Sequence, residues 1–273
     1  MEIGVYGVVT DETLKPDEIA RLVEAAGLDA LHIGEHSHIP ASRETPAPGG
    51  GELRRDYIRL YDLFVALTAA GVATTRLRLS SGIMQLAQRD PIITAKEIAS
   101  LDQLTDGRVD LIVGHGWNME EMRNHGVDPD TRYDLVREKM LALREMFRED
   151  EATFHDDFVN FDRIWSWPKP VQPGGVPLYF GGNSPGSEER ALDYGDGWAP
   201  IAIPGTAERI AAFVNAGNTI PVIAFGVATD PAEIEAYAKA VTHRVVLDLG
   251  PAQPGVIERS LDELRAVIAT AVG

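Results

Sequence analysis

Apolar positions along the chain follow two alternating rhythms. Glu2 to Val9 is a mostly apolar run with two glycines, which predicts a strand. Pro16 opens a helix whose stripe is Ile19, Leu22, Val23 and Ala26, and Gly27 ends it. Asp29 to Gly34 predicts the second strand. Leu31 and Ile33 share one parity, and His32, Gly34 and His36 share the other. Apolar side chains toward helices and small or polar ones inward are what a barrel strand shows, and His36 falls at its carboxyl end. Ser37 to Asp56 is a long loop rich in Pro and Gly. Tyr57 to Ala73 is expected as a helix and Arg76 to Met84 as the third strand. Asp90-Pro91 opens the next helix, Asp106-Gly107 closes it, and Val109 to Val113 is the fourth strand.

Helices are expected over 118–125 and 130–147, then a small hairpin over 152–161 that turns at Asp156-Asp157. An irregular aromatic connection, Trp165 to Pro170, follows. Strands at 177–180, 197–199, 221–227 and 243–247 alternate with helices at 187–194, 206–214, 230–240 and 256–271. Eight strands alternating with helices imply a parallel sheet. The leading architecture is an α/β fold, a (β/α)8 TIM barrel spanning 1–273 as one unit, with insertions after strands two and four on the βα side. An open doubly wound sheet is the second choice.

Composition narrows the function classes. With 44% apolar residues in 273, the chain reads as ordinary globular. A formal net charge of −17 argues against general affinity for nucleic acid or an anionic membrane. Without cysteine there are no disulfides, thiolate metal sites or Cys nucleophiles. No leader pattern opens the chain and no run has membrane-spanning length, so a cytoplasmic location is expected.

Candidate chemistry lies at strand ends. Glu35-His36 reads either as a proton-transfer pair or as a solvated strand end. His32, His36 and His38 share a parity beside Glu35, which leaves a metal reading open, but no second His/Asp cluster accompanies them. Ser81-Gly82 is a plain bulge or a distortion that backs a flat ligand. Gly114-His115-Gly116-Trp117-Asn118 ends strand four in a glycine-pinched turn that leads into a helix. Gly181-Gly182-Asn183-Ser184 precedes another helix, as an ordinary turn or as a phosphate-receiving nest. The Walker and dinucleotide fingerprints are absent. Trp117, Trp165 and Trp167 are placed to line a pocket or to pack loops onto the barrel.

Several stretches occur together in fixed order: Gly34-Glu35-His36-Ser37-His38-Ile39-Pro40, Gln88-Arg89-Asp90-Pro91, Leu101 to Arg108, Gly114 to Asn118 with Glu120-Glu121-Met122, Trp167-Pro168-Lys169-Pro170, Gly181 to Pro185 and Tyr194 to Trp198. This set resembles the bacterial luciferase-like oxidoreductases, and most the F420-dependent branch from actinobacteria, over roughly residues 1–200. The resemblance implies a (β/α)8 barrel, a homodimer, and hydride transfer between F420 and a small organic substrate. FMN is the alternative cofactor, with reduced flavin and oxygen in a monooxygenase; a non-catalytic flavin-binding barrel is a further alternative. It assigns His36 and Glu35 to catalysis beside the cofactor ring. Ser81-Gly82 matches the place of a non-proline cis peptide in relatives. Gly114, His115 and Gly116 match the ring-lining backbone, and Gly181, Gly182 and Asn183 the segment at the ribityl-phosphate arm. Arg89 and Arg132 are expected anion contacts, Trp117 and His38 substrate-pocket residues, and no metal is implied. Sugar-phosphate dehydrogenases of the family carry an acidic Glu where this chain has Trp117. That departure argues for an apolar substrate.

Overall fold

The computed structural model describes residues 1–272; Gly273, the end of the 1–273 unit expected above, lies outside the described residues. Eleven strands form among the described residues: β1 (Glu2–Val8), β2 (Ala30–Ile33), β3 (Arg78–Ser81), β4 (Met84–Gln85), β5 (Leu111–Gly114), β6 (Ala152–His155), β7 (Asn160–Ile164), β8 (Leu178–Gly181), β9 (Gly197–Ala199), β10 (Ile223–Val227) and β11 (Arg244–Pro251). Helices α1 (Pro16–Ala25), α2 (Leu63–Val72), α3 (Pro91–Leu104), α4 (Met119–Asn124), α5 (Arg132–Arg148), α6 (Ser187–Tyr194), α7 (Thr206–Asn215), α8 (Pro231–Ala240) and α9 (Ile257–Val272) run between them.

Two parallel sheets, ordered β10-β11-β1-β2-β3 and β4-β5-β8-β9, share two seams. Leu79 bridges Val109 at one seam, and Trp198 bridges Val222 at the other. The seams close an eight-stranded parallel barrel in chain order, β1-β2-β3-β5-β8-β9-β10-β11, with β4 as a short continuation of β3. The (β/α)8 expectation therefore holds. First and last strands pair in parallel, Glu2 opposite Arg244 and Val5 opposite Leu247.

Local chemistry sets the helix starts. Asp62, Asp90 and Asn118 each accept a backbone N–H three residues on, at 3.0, 2.9 and 3.1 Å. Each side chain satisfies one amide that the first turn leaves unpaired. The Asp62 cap shortens the helix expected over 57–73: residues 55–58 form a separate 3-10 turn, and α2 begins at Leu63. The third strand expected over 76–84 is likewise broken, between Ser81 and Met84. The 152–161 hairpin forms as β6–β7, but it follows α5 and so lies in an αβ connection, not on the βα side. Its turn is held by Glu138 of α5, whose carboxylate accepts from the amides of Phe158 and Val159 at 2.7 and 2.9 Å.

The core has two parts. A continuous apolar layer lies between strands and helices, with Leu31, Leu79, Val113, Phe180 and Leu247 facing Ile19, Leu67, Ile98, Val136 and Ile210. Inside the barrel a smaller cluster of Ile112, Tyr179, Ala199, Ile223, Phe225 and Val246 is capped by Tyr6 and Ile83. At the strand starts the interior is ionic. Arg244, fully buried, donates to both oxygens of Asp110 at 3.0 and 2.8 Å and to Glu2 at 2.8 and 2.5 Å. Arg78 also donates to Asp110, at 2.8 Å. Burial opposes the Asp110 charge, but Arg244 prevails and holds its carboxyl far below the usual range.

His32 sits beside this network. Its Nδ1 is 3.2 Å from the Ser81 carbonyl, and its Nε2 is 3.3 Å from an Arg244 nitrogen. A guanidinium only donates, so Nε2 accepts and the proton is on Nδ1. Burial and the adjacent Arg244 charge push this imidazole down to about 3. Both nitrogens of His32 are thus engaged away from His36 and His38, despite the shared parity. Among the described residues no helix is long and apolar enough to cross a membrane.

Candidate functional site

The carboxyl ends of the barrel strands surround a cavity of about 350 Å³, within the usual range for small-molecule sites. Glu35, His36, Gly82, Gly114, His115, Gly116, Trp117, Gly181 and Gly182 all line it, so most of the expected residues converge. Five of these nine are glycines; Gly182 faces open space, while Ile83 packs over Gly114 and Gly181 and Phe225 over Gly82, approaches that a side chain at those positions would block. Gly116 and Gly182 have φ of +81° and +118°, which bulkier residues rarely adopt. The remaining wall is largely aromatic and aliphatic: Tyr6, Val8, Tyr57, Leu60, Ile83, Ile201 and Phe225. The non-proline cis bond is at Gly82–Ile83, one bond after the expected Ser81–Gly82 position.

His36 is the polar centre of the wall, and it is buried. Its Nδ1 lies 2.7 Å from Glu121 Oε2, and its Nε2 accepts from the Trp117 indole N–H at 3.1 Å. Indole is a donor only, so the His36 proton is on Nδ1, aimed at the carboxylate. The ring stands edge-on to Trp117 and tilted to Tyr57, each 5.4 Å between centroids. The amide of Gln85 leans against it, with its nitrogen donating to the Glu35 carbonyl at 2.7 Å. Glu121 is fully buried. Burial opposes its charge, yet the hydrogen bond from His36 holds its carboxyl below the ordinary value.

The carboxylate partner of His36 is therefore Glu121, not the adjacent Glu35. Glu35 turns the other way: its carboxylate accepts from the Gln85 amide at 2.6 Å and pairs with Arg89. Both residues lie beyond β2, which ends at Ile33, and both border the cavity, but their side chains take different partners. Glu121 carried a weak signal, an acidic residue in the first turn after the Asn118 cap, but its partner is 85 positions away.

Other expected contacts are displaced. Ser81 is buried beneath the cavity and donates to the Ile112 carbonyl at 2.7 Å. Asn183 braces a loop: its amide spans the Ile201 backbone, accepting at 2.6 Å and donating at 2.8 Å. Arg89 is no free anion contact, because Glu35, Glu97 and Asp62 surround it. His38 lies off the cavity, with Nδ1 2.9 Å from Ser37 Oγ and Nε2 2.8 Å from Asn124. Trp165 and Trp167 are exposed and do not line the cavity.

Arg132 stays near the mouth, joined by Arg190, which sequence reasoning missed. Their guanidinium carbons lie 4.7 and 4.2 Å from the centre of the Tyr133 ring, and that ring packs 4.4 Å from His115. Among the described residues neither arginine forms an ion pair; they donate to the carbonyls of Pro129 and Pro185. Burial, then the Arg132 and Arg190 charges, push the His115 imidazole down to about 4. Two arginines without ion pairs among the described residues thus stand near the mouth in a chain of net −17.

Comparison with known proteins agrees with this picture. The chain belongs to the luciferase-like monooxygenase family, whose model matches residues 15–268. A curated uncharacterised protein of Mycobacterium tuberculosis is 40% identical over 184 residues, 66% of this chain and 65% of the relative. An FMNH(2)-dependent dimethylsulfone monooxygenase of Pseudomonas fluorescens is 28% identical over 245 residues, 86% of this chain and 62% of that protein. The chain thus spans just under two thirds of the length of these relatives. An F420-dependent secondary alcohol dehydrogenase, solved in complex with an F420-acetone adduct, shares the fold at TM-score 0.79 and 22% identity, covering 100% of this chain and 99% of the other.

Proposed function

We propose that this family member is an oxidoreductase that moves a hydride between F420 and a small, largely apolar organic substrate. The observation that carries the reading is His36, held by Glu121 and Trp117 in the wall of a glycine-lined apolar cavity. A flat ring would lie against Ile83, whose side chain covers Gly114 and Gly181, beside the open backbone of Gly182. Arg132 and Arg190 would face the anionic arm. Bound F420 supplies the hydride-accepting ring carbon, and the protein supplies binding, orientation and proton handling.

The chain's own contribution to the chemistry is at His36 Nε2. With Nδ1–H fixed on Glu121, Nε2 is an acceptor that faces the cavity. An alcohol O–H that replaces the Trp117 N–H would place its proton on that nitrogen as hydride leaves the carbon; the reverse step returns it to a carbonyl oxygen. Glu121 stabilises the imidazolium so formed. Tyr57 and Trp117 pack on the ring and exclude water around it. Trp117 stands where sugar-phosphate dehydrogenases keep an acid, which supports an apolar substrate.

The second reading is an FMN monooxygenase, favoured by the dimethylsulfone monooxygenase similarity. Parallel fluorescence titration with F420 and FMN separates the two. Saturable binding of F420 with FMN bound at least tenfold more weakly is expected. The reverse order transfers the proposal to FMN, and binding of neither removes both.

A further inference from the structure

A second cavity of about 340 Å³ is walled in part by His36, Gln85, Ser37 and His125. His36 borders both cavities, together with Glu35, Leu60 and Gln85. A chain of hydrogen bonds leads from His36 along the second. Ser37 Oγ donates to Glu121 Oε1 at 3.2 Å, and the Ser37 amide donates to the same oxygen at 3.1 Å. His125 Nε2 lies 2.7 Å from Ser37 Oγ, and His38 Nδ1 lies 2.9 Å from it. Asn124 donates to His38 Nε2, so the His38 proton is on Nδ1. One hydroxyl proton cannot serve three partners. The arrangement that satisfies every atom has Ser37 donating to Glu121 and accepting from both imidazoles. His38 and His125 are 5.5 Å apart between ring centres, and His125 is exposed.

We propose that Glu121, Ser37 and His125 form a proton relay between His36 and solvent, with His38 as a parallel outer donor. The inference rests on the reading that His36 exchanges a proton with substrate. Inward, a His125 that has taken a solvent proton at Nδ1 gives its Nε2 proton to Ser37 Oγ while the Ser37 hydroxyl proton moves to Glu121, which becomes a carboxylic acid beside His36. Outward, a His36 that has gained a proton at Nε2 gives its Nδ1 proton to Glu121 Oε2. The carboxylic O–H then turns to Ser37 and its proton passes to Ser37 Oγ, while Ser37 gives its own hydroxyl proton to Nε2 of a His125 that holds its proton on Nδ1, and that Nδ1 proton is released to solvent. No electrons move, and one proton is transferred in total. Imidazoles suit the outer end because they take and release protons near neutral pH. Arg123 and Asn124 of α4 flank His125 in the chain, and Glu120 and Glu121 are the carboxylates on the same helix.

The test needs no cofactor. In protein labelled with 15N-histidine, the solvent exchange of the His36 Nδ1 proton is measured by NMR in dilute non-imidazole buffer. A His38→Gln/His125→Gln variant is expected to slow that exchange on the order of tenfold or more, and added free imidazole to restore it. Ser37→Ala is expected to slow it as well, without rescue. Exchange that stays unchanged or quickens in the double variant, or that imidazole does not restore, reduces the cluster to a clasp between the 36–38 segment and α4 and overturns the proposal. Failure of the F420 and FMN titrations leaves this measurement unaffected, so the two readings fail separately.

Discussion

The neutral imidazole of His32 makes acid stability a quantitative test of the barrel interior. Its Nδ1–H is used by the Ser81 carbonyl and its Nε2 lone pair by Arg244. A second proton would set two cationic donors against each other in a dry site. The folded value near 3 lies below the unfolded value of 6.5. As pH falls, the unfolded chain therefore binds the proton first. The stabilisation is fully present above 6.5 and is lost progressively as pH drops toward 3. Between pH 7 and 5 linkage gives a loss of about 2 kcal/mol from this residue alone. That is a large share of a stability of roughly 5–15 kcal/mol. Urea unfolding at both pH values, with unchanged slope, measures it. His32→Gln keeps a donor and an acceptor but cannot titrate. Its own pH 7-to-5 loss is expected to be smaller than the wild-type loss by about 2 kcal/mol, whatever its starting stability. Equal losses in the two proteins would refute the reasoning.

Two further outcomes follow from charge placement. Arg244→Met should cost about 3–5 kcal/mol, because it strands the buried Asp110 with Arg78 alone, and adding Asp110→Asn should recover part of that loss in thermal or urea melts. A double Arg132→Gln/Arg190→Gln variant should weaken binding of the preferred anionic cofactor by roughly tenfold, with a shallower salt dependence in titration, while leaving the melting temperature nearly unchanged; equal affinity at low salt would remove these arginines from the arm.

Much of the barrel was legible because each strand carries its own evidence. The 29–34 and 109–113 runs are short, apolar and bounded by Asp or Gly, and that local pattern is what the barrel consumes. Errors arose where a cap or a distant partner overrides periodicity. Leu60 fits the stripe of a longer helix, but Asp62 caps the chain two residues later. In the site, glycines and His36 announce themselves at strand ends. The pairings did not: Glu121 with His36, Glu35 with Arg89 and Arg190 with Tyr133 join positions 85, 54 and 57 residues apart. Adjacent residues such as Glu35 and His36 look coupled in sequence, whereas the loop after β2 turns them to different partners, Arg89 and Glu121.

The seam between β1 and β11 has a consequence for biosynthesis. During translation the first strand waits with one edge unpaired until more than two hundred further residues have emerged, since its partner begins at Arg244. Such an edge is a template for unwanted strand addition between nascent chains. Arrival of β11 brings Arg244 to Glu2 and Asp110 and completes the ionic network that Arg78 begins at the barrel base. The closing event is therefore long-range and late, and chaperone demand should fall on chains stalled shortly before that strand.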